Sequence, residues 1–132
     1  MRVWLYARLS NDDDREMNSL LNQREICQAF AEQHGYIIVG QSFDDNISGM
    51  SFDRRGLDEL MVAVDADKID AVIVKDLSRL GRHRTQTALF IDYLREHQVR
   101  VISATEGVDT FRDEDDLIIG VRGLMNDYYA KD

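Results

Sequence analysis

The stretch RVWLYARL, residues 2–9, opens the chain with a run rich in β-branched and aromatic side chains, the composition of a strand. Three later runs share that character: YIIVGQSF (36–43), IDAVIVK (69–75) and VRVISAT (99–105). Between them the apolar period changes. Leu57, Leu60, Met61 and Val64 recur at i, i+3, i+4 and i+7, the spacing of one helix face. Residues 16–34 carry Met17, Leu20, Leu21, Cys27, Phe30 and Ala31 and stop at Gly35, where a helix C-terminus favours glycine, and residues 84–97 form a third helical pattern. Strands alternating with helices predict an α/β domain in three layers, a largely parallel sheet with helices on both faces. The final segment, LIIGVRGLMNDYYAKD (117–132), predicts a C-terminal helix with Leu117, Ile118, Val121, Leu124, Met125, Tyr128 and Tyr129 apolar. That stripe is wide for a helix lying on one sheet, so the helix is either deeply buried or meets another subunit.

With 132 residues and 44% hydrophobic content, the chain has the size and apolar content of one compact domain. It contains no apolar run of about 18 residues and no basic-then-apolar start, so the expectation is a soluble intracellular, cytoplasmic protein with no membrane partner. Cys27 is the single cysteine, which excludes an internal disulfide and reads as a packing residue. One Cys and three scattered His make a zinc site a poor expectation.

The net charge of −9 argues by itself against a polyanionic partner, yet the charge is uneven. Residues 75–84, KDLSRLGRHR, set Lys75, Arg79, Arg82 and Arg84 against Asp76, a net of +3. Residues 106–116, EGVDTFRDEDD, set six acids against Arg112, a net of −5. A basic cluster inside an acidic domain resembles a site more than a broad binding surface.

Ligands of open parallel sheets gather at the carboxyl ends of the strands. Arg8 and Ser10 end the first predicted strand, Asp44 and Asp45 end the second, and Lys75 to Arg82 follow the third. Three charged clusters should therefore meet at one sheet edge. Side chains alternate along a strand, so Tyr6, Arg8 and Ser10 should share one face and Leu5, Ala7 and Leu9 the other.

Ser10 needs activation to act as a nucleophile, and none of His34, His83 or His97 falls at a strand end beside it. His34 and His97 terminate helices, where a solvated imidazole near the last carbonyls is the ordinary arrangement. An arginine-rich site has a different use. Guanidinium forks bind phosphate oxygens and stabilise the charge that develops in phosphoryl transfer. Arg79 and Arg82, three apart, would fall on one side of a helical turn and could surround a phosphate together with Arg8. The plainer alternative is that Ser78 caps a helix and the arginines are solvated partners of nearby acids.

These residues resemble the serine recombinases. YARLS (6–10) is similar to their Tyr-x-Arg-x-Ser signature and DLSRLGR (76–82) to their second, arginine-bearing signature. SLLNQ (19–23) resembles the Ser-Leu-x-x-Gln step, and DDNISGMSFDRRGLDEL (44–60) resembles the Asp-x-x-x-Gly and Arg-x-Gly-Leu segment. The resemblance runs in order along essentially the whole chain. Ser78 in place of the aspartate usual in small resolvases, and the ending NDYYAKD, resemble the large, integrase- and transposase-type members.

The resemblance implies a resolvase-like catalytic domain over residues 1–132, a fragment with DNA-binding domains following. Ser10 would attack a DNA phosphodiester to give a 5′-phosphoserine, and Arg8, Arg79 and Arg82 would bind the scissile phosphate. Gln23, Asp45 and Arg54 match supporting positions, and no metal or other cofactor is implied. The partners implied are double-stranded DNA, held weakly by this fragment alone, and further copies of the chain as a dimer and, at synapsis, a tetramer. Two other readings stay open. Asp12, Asp13, Asp14, Asp44 and Asp45 could hold Mg²⁺ in a receiver-like domain, although Lys75 stands where a receiver needs its phosphoacceptor Asp. A catalytically silent assembly domain built around the 117–129 helix is the second.

Overall fold

The computed structural model describes residues 1–10, 18–46, 54–80 and 84–110. In order they form β1 (Arg2–Ser10), α1 (Leu20–Gln33), β2 (Ile37–Asn46), α2 (Arg55–Asp65), β3 (Ala71–Val74), a 3-10 turn (Leu77–Arg79), α3 (Arg84–Glu96), β4 (Arg100–Ser103) and β5 (Val108–Asp109). The sheet order is β2-β1-β3-β4-β5. The first three pairings are parallel and β4–β5 is antiparallel. The expected three-layer α/β architecture is therefore present. The proposed helix 117–129 lies outside the described residues.

Alternation along the strands builds the two apolar layers. Val3 and Leu5 of β1 join Ala71 and Ile73 of β3 under Cys27 and Ala31 of α1. Tyr6 joins Val72 and Val74 under Leu60 and Val64 of α2 and under Ile91 and Leu94 of α3. The β3 strand is buried at every position, as a strand covered on both faces must be. One helix thus lies on one face and two on the other.

Local chemistry sets the helix limits. The predicted helix over 16–34 begins at Leu20, because the Ser19 hydroxyl accepts the Asn22 N–H at 3.0 Å and caps the first turn. It ends where Gly35 takes φ +70, and the Tyr36 N–H returns to the Ala31 carbonyl at 2.9 Å. His34 and His97 are exposed beyond their helices, each with Nδ1 2.9 Å from a carbonyl one turn back.

Two strand limits differ from the sequence reading. The apolar run read as the second strand, 36–43, extends to Asn46, and Asp44 and Asp45 stand at the end of β2 as expected. The predicted strand 99–105 closes at Ser103, and Gly107 at φ +67 reverses the chain into β5. The Thr110 hydroxyl then accepts the Val101 N–H at 2.9 Å, and Arg95 holds the Thr110 carbonyl at 2.8 Å.

The strand order places a topological switch between β1 and β3. The chain leaves β1 toward β2 on one side and returns to β3 on the other, which opens a crevice at the carboxyl ends of β1 and β3. Arg8 and Ser10 stand at the end of β1, and the turn bearing Arg79 follows β3.

Candidate active site

Tyr6 packs into the α2/α3 layer while Leu5 packs beneath α1, so the two-residue period carries Arg8 and Ser10 to the Tyr6 face. Arg8 is 9% exposed and Arg79 is 4% exposed. Buried guanidinium groups require hydrogen-bond acceptors, and these two find some of them in backbone carbonyls of the opposite segment. Arg8 Nη2 donates to the Ser78 carbonyl, and Arg79 Nη1 donates to the Arg8 carbonyl at 2.8 Å. The end of β1 and the turn after β3 are therefore locked reciprocally, 71 residues apart in sequence.

The turn itself is capped by Asp76. The Asp76 carboxylate accepts the Ser78 N–H at 3.1 Å and the Ser78 hydroxyl, and it lies 3.4 Å from both Nε and Nη2 of Arg79. Ser78 is a donor to the cap, not the cap. Nor is Arg79 a solvated surface cation.

Gln23 is fully buried on α1, directed by the Ser19 cap one turn earlier. Its Oε1 accepts the Arg8 N–H at 3.2 Å, and its Nε2 donates to the Arg8 carbonyl at 2.8 Å and the Asn18 carbonyl at 2.8 Å. One side-chain amide thus grips both backbone groups of Arg8. Lys75 Nζ adds a tie from the end of β3 to the α1 entry, donating to Asn18 Oδ1 at 2.7 Å.

The β2 end is organised by Asp44, 1% exposed and opposite Arg8 in the sheet register. Its carboxylate accepts the Tyr6 hydroxyl at 2.6 Å, the Gly56 N–H at 2.6 Å and the Leu57 N–H at 3.0 Å. Three donors, two of them amides at a helix N-terminus, make burial of the carboxylate tolerable. The neighbouring Ser42 accepts Trp4 Nε1 at 2.9 Å and donates to the Gly56 carbonyl at 2.7 Å. Gly56 is required there, since a Cβ would lie 2.4 Å from the Phe43 carbonyl oxygen. Arg54 precedes this junction as the exposed residue entering α2. Asp45 is exposed and in register with Leu9, so alternation puts it on the face opposite that of Arg8 and Ser10.

The structure thus brings together Arg8, Arg79, Gln23 and the end of β1 that bears half-buried Ser10. Arg82, the remaining expected arginine, lies outside the described residues, as do Asp12, Asp13 and Asp14. Asp44 was legible only as a charge at a strand end. The Arg-x-Gly-Leu step twelve residues later was the signal that its carboxylate meets a helix start.

Two other features lie near the site without joining it. A cavity of about 650 Å³ between α1, β2 and α2 is lined by apolar groups such as Leu5, Leu21 and Phe43, with Arg24 and Glu59, and contains none of Arg8, Ser10 or Arg79. Burial pushes the Cys27 thiol from 9.0 up to about 12, with Asp76 reinforcing the shift and Lys75 opposing it. We expect Cys27 to resist a disulfide reagent at pH 8 in the folded protein and to react at once in denaturant. The unfolded chain deprotonates first, so this thiol lowers stability as pH rises from about 9 toward 12. Rapid labelling of native protein would show that α1 does not seal it.

A family model described as the resolvase N-terminal domain matches residues 3–132. The Tn3 transposon resolvase of Escherichia coli is 29% identical over 121 residues, covering 92% of this chain and 60% of the relative. The chain therefore spans about three-fifths of that resolvase's length. Among solved structures, a resolvase family site-specific recombinase from Streptococcus pneumoniae superposes with a TM-score of 0.78 at 28% identity, covering 98% of this chain and 87% of that one. The N-terminal catalytic domain of TP901-1 integrase shares the fold, with a TM-score of 0.77 at 23% identity over 98% and 96% of the two chains. The order of the motifs, the sheet and the family match agree, and the chain belongs to the resolvase N-terminal domain family.

Proposed function

We propose that this chain is the catalytic part of a serine site-specific recombinase that cuts and rejoins DNA strands. The observation that carries the reading is the pair of buried arginines at the β1/β3 switch, Arg8 on the Ser78 carbonyl and Arg79 on the Arg8 carbonyl, with Ser10 two residues beyond Arg8. The Ser10 hydroxyl gives up its proton as its oxygen attacks the scissile phosphorus, the bond from phosphorus to the 3′ oxygen breaks, and that oxygen takes up a proton to leave as a 3′-hydroxyl. The strand's 5′ phosphate is then esterified to Ser10. Attack by the 3′-hydroxyl of an exchanged strand reverses the step, so the phosphoester bond is conserved throughout.

Arg8 and Arg79, with Arg82, hold the non-bridging oxygens and the charge that accumulates on them. Gln23 fixes the backbone that carries Arg8. Asp45 and Arg54 are supporting positions by family resemblance alone. Asp44, fully engaged by Tyr6 and the α2 amides, is not offered to a metal ion, which favours this reading over a Mg²⁺-binding one. No helix among the described residues is long and apolar enough to cross a membrane. Work on DNA would place the protein in the cytoplasm. Double-stranded DNA is the substrate, held mainly by segments following this domain, and the active assembly is a dimer that pairs into a tetramer through the 117–129 segment. The chain at −9 should show weak DNA binding by itself.

The test is a nicked recombination site that traps the cleaved state, incubated with the complete protein. A denaturant-resistant adduct is expected with wild type and none with Ser10→Ala. An adduct that persists in Ser10→Ala would contradict the assignment.

A further inference from the structure

The turn that carries Arg79 is only three residues long, and its own bonds are long, 3.3 Å from the Arg79 N–H to the Asp76 carbonyl and 3.2 Å from the Leu80 N–H to the Leu77 carbonyl. Such a turn does not hold its own position. Its place is set from outside. Asp76 takes the Ser78 N–H, and the Leu77 N–H goes to a residue 29 positions away, Glu106 in the β4–β5 connection, whose Oε1 accepts it at 2.9 Å. The same oxygen accepts the Ser103 hydroxyl at 2.8 Å. Around it the connection grips the exit of β3, with the Ala104 N–H on the Val74 carbonyl at 2.9 Å and the Thr105 hydroxyl on the Lys75 carbonyl at 2.6 Å. Gly107 at φ +67 turns the chain, its N–H on the Ser103 carbonyl at 3.1 Å.

We propose that Glu106 is a positioning residue for strand cleavage, its carboxylate holding the start of the 3-10 turn so that Arg79 meets Arg8 in the geometry that a phosphate requires. The inference rests on the recombinase reading above. Reach and an acceptor oxygen are what the bond to the Leu77 N–H demands. The half-buried carboxylate acts through Leu77 and Arg79 and does not touch the reacting atoms.

Glu106→Asp keeps the charge and shortens the reach, whereas Glu106→Gln keeps the reach and an acceptor oxygen but loses the charge. In the complete protein on a nicked site, single-turnover cleavage by Glu106→Asp should fall by about 100-fold, the effect of a misplacement near 1 Å. Half-saturation by DNA should stay unchanged. Glu106→Gln should cleave close to the wild-type rate. Hydrogen exchange at the Leu77 amide should quicken in Glu106→Asp and stay slow in Glu106→Gln. The opposite order of the two variants, equal loss in both, or wild-type rates in both would overturn the inference. Failure of wild type itself to form a Ser10-dependent adduct would instead remove the recombinase reading, and the inference with it.

Discussion

Arg79→Ala is expected to lower the rate of strand cleavage by about 10³-fold or more, the range in which an arginine facing a transferring phosphoryl group operates. The structure explains why lysine should not replace it. Arg79 donates through Nη1 to the Arg8 carbonyl while Nε and Nη2 face Asp76, a fork that one ammonium cannot reproduce at three nitrogen positions. Arg79→Lys should therefore remain within about tenfold of Arg79→Ala. DNA binding should change little in either variant on the proposed reading, in which segments outside this domain give most of the affinity. The measurement is single-turnover adduct formation at saturating DNA. A loss under tenfold would mean that Arg79 serves only to brace the Arg8 carbonyl and meets no phosphate.

Asp44→Ala should be the most destabilising substitution at the site, by on the order of 3–5 kcal/mol. It strands two backbone amides at the start of α2 and the buried Tyr6 hydroxyl at once. The same change loosens the junction that leads to Arg54. A drop in Tm of roughly 10 °C or more should follow. Tyr6→Phe removes one donor and leaves the carboxylate its two amides, so it should cost only about 1 kcal/mol. Denaturant unfolding of the two variants compares them directly. Equal and small losses would show that water replaces the Tyr6 and amide bonds of Asp44.

The parts of this fold governed by period were legible in the sequence. Leu5 and Tyr6 part to opposite layers as alternation requires, and Leu60 and Val64 face the core at helical spacing. What escaped was set by partners distant in sequence. β5 has two residues, too few to show a period, and exists through its pairing with Ile102 and Ser103. β2 continues through Asp44 because α2 supplies amides to its carboxylate, a side chain that strands disfavour. Glu106 was hidden in an acidic run and counted only as charge, yet it holds the arginine turn.

The site divides in the same way. That Arg8 and Ser10 share a strand face follows from spacing. That Arg79 is buried against the Arg8 carbonyl does not, because spacing from Arg82 put the two on one side of a turn and said nothing of a backbone partner 71 residues away. Gln23 stood out only through the resemblance of SLLNQ to a family step. Its buried amide, closing on both backbone groups of Arg8, supplies the physical reason for a glutamine there.

The most direct test of the central claim asks which atom of the protein carries the DNA and which DNA end is left free. The trapped adduct from the complete protein would be digested with trypsin and nuclease and the modified peptide sequenced by mass spectrometry, while the cleaved DNA is offered to a polymerase. The account predicts a nucleotide 5′ phosphate on Ser10 and a free 3′-hydroxyl that the polymerase extends. A nucleotide on any other residue, or a 3′ end blocked by phosphate, would contradict it.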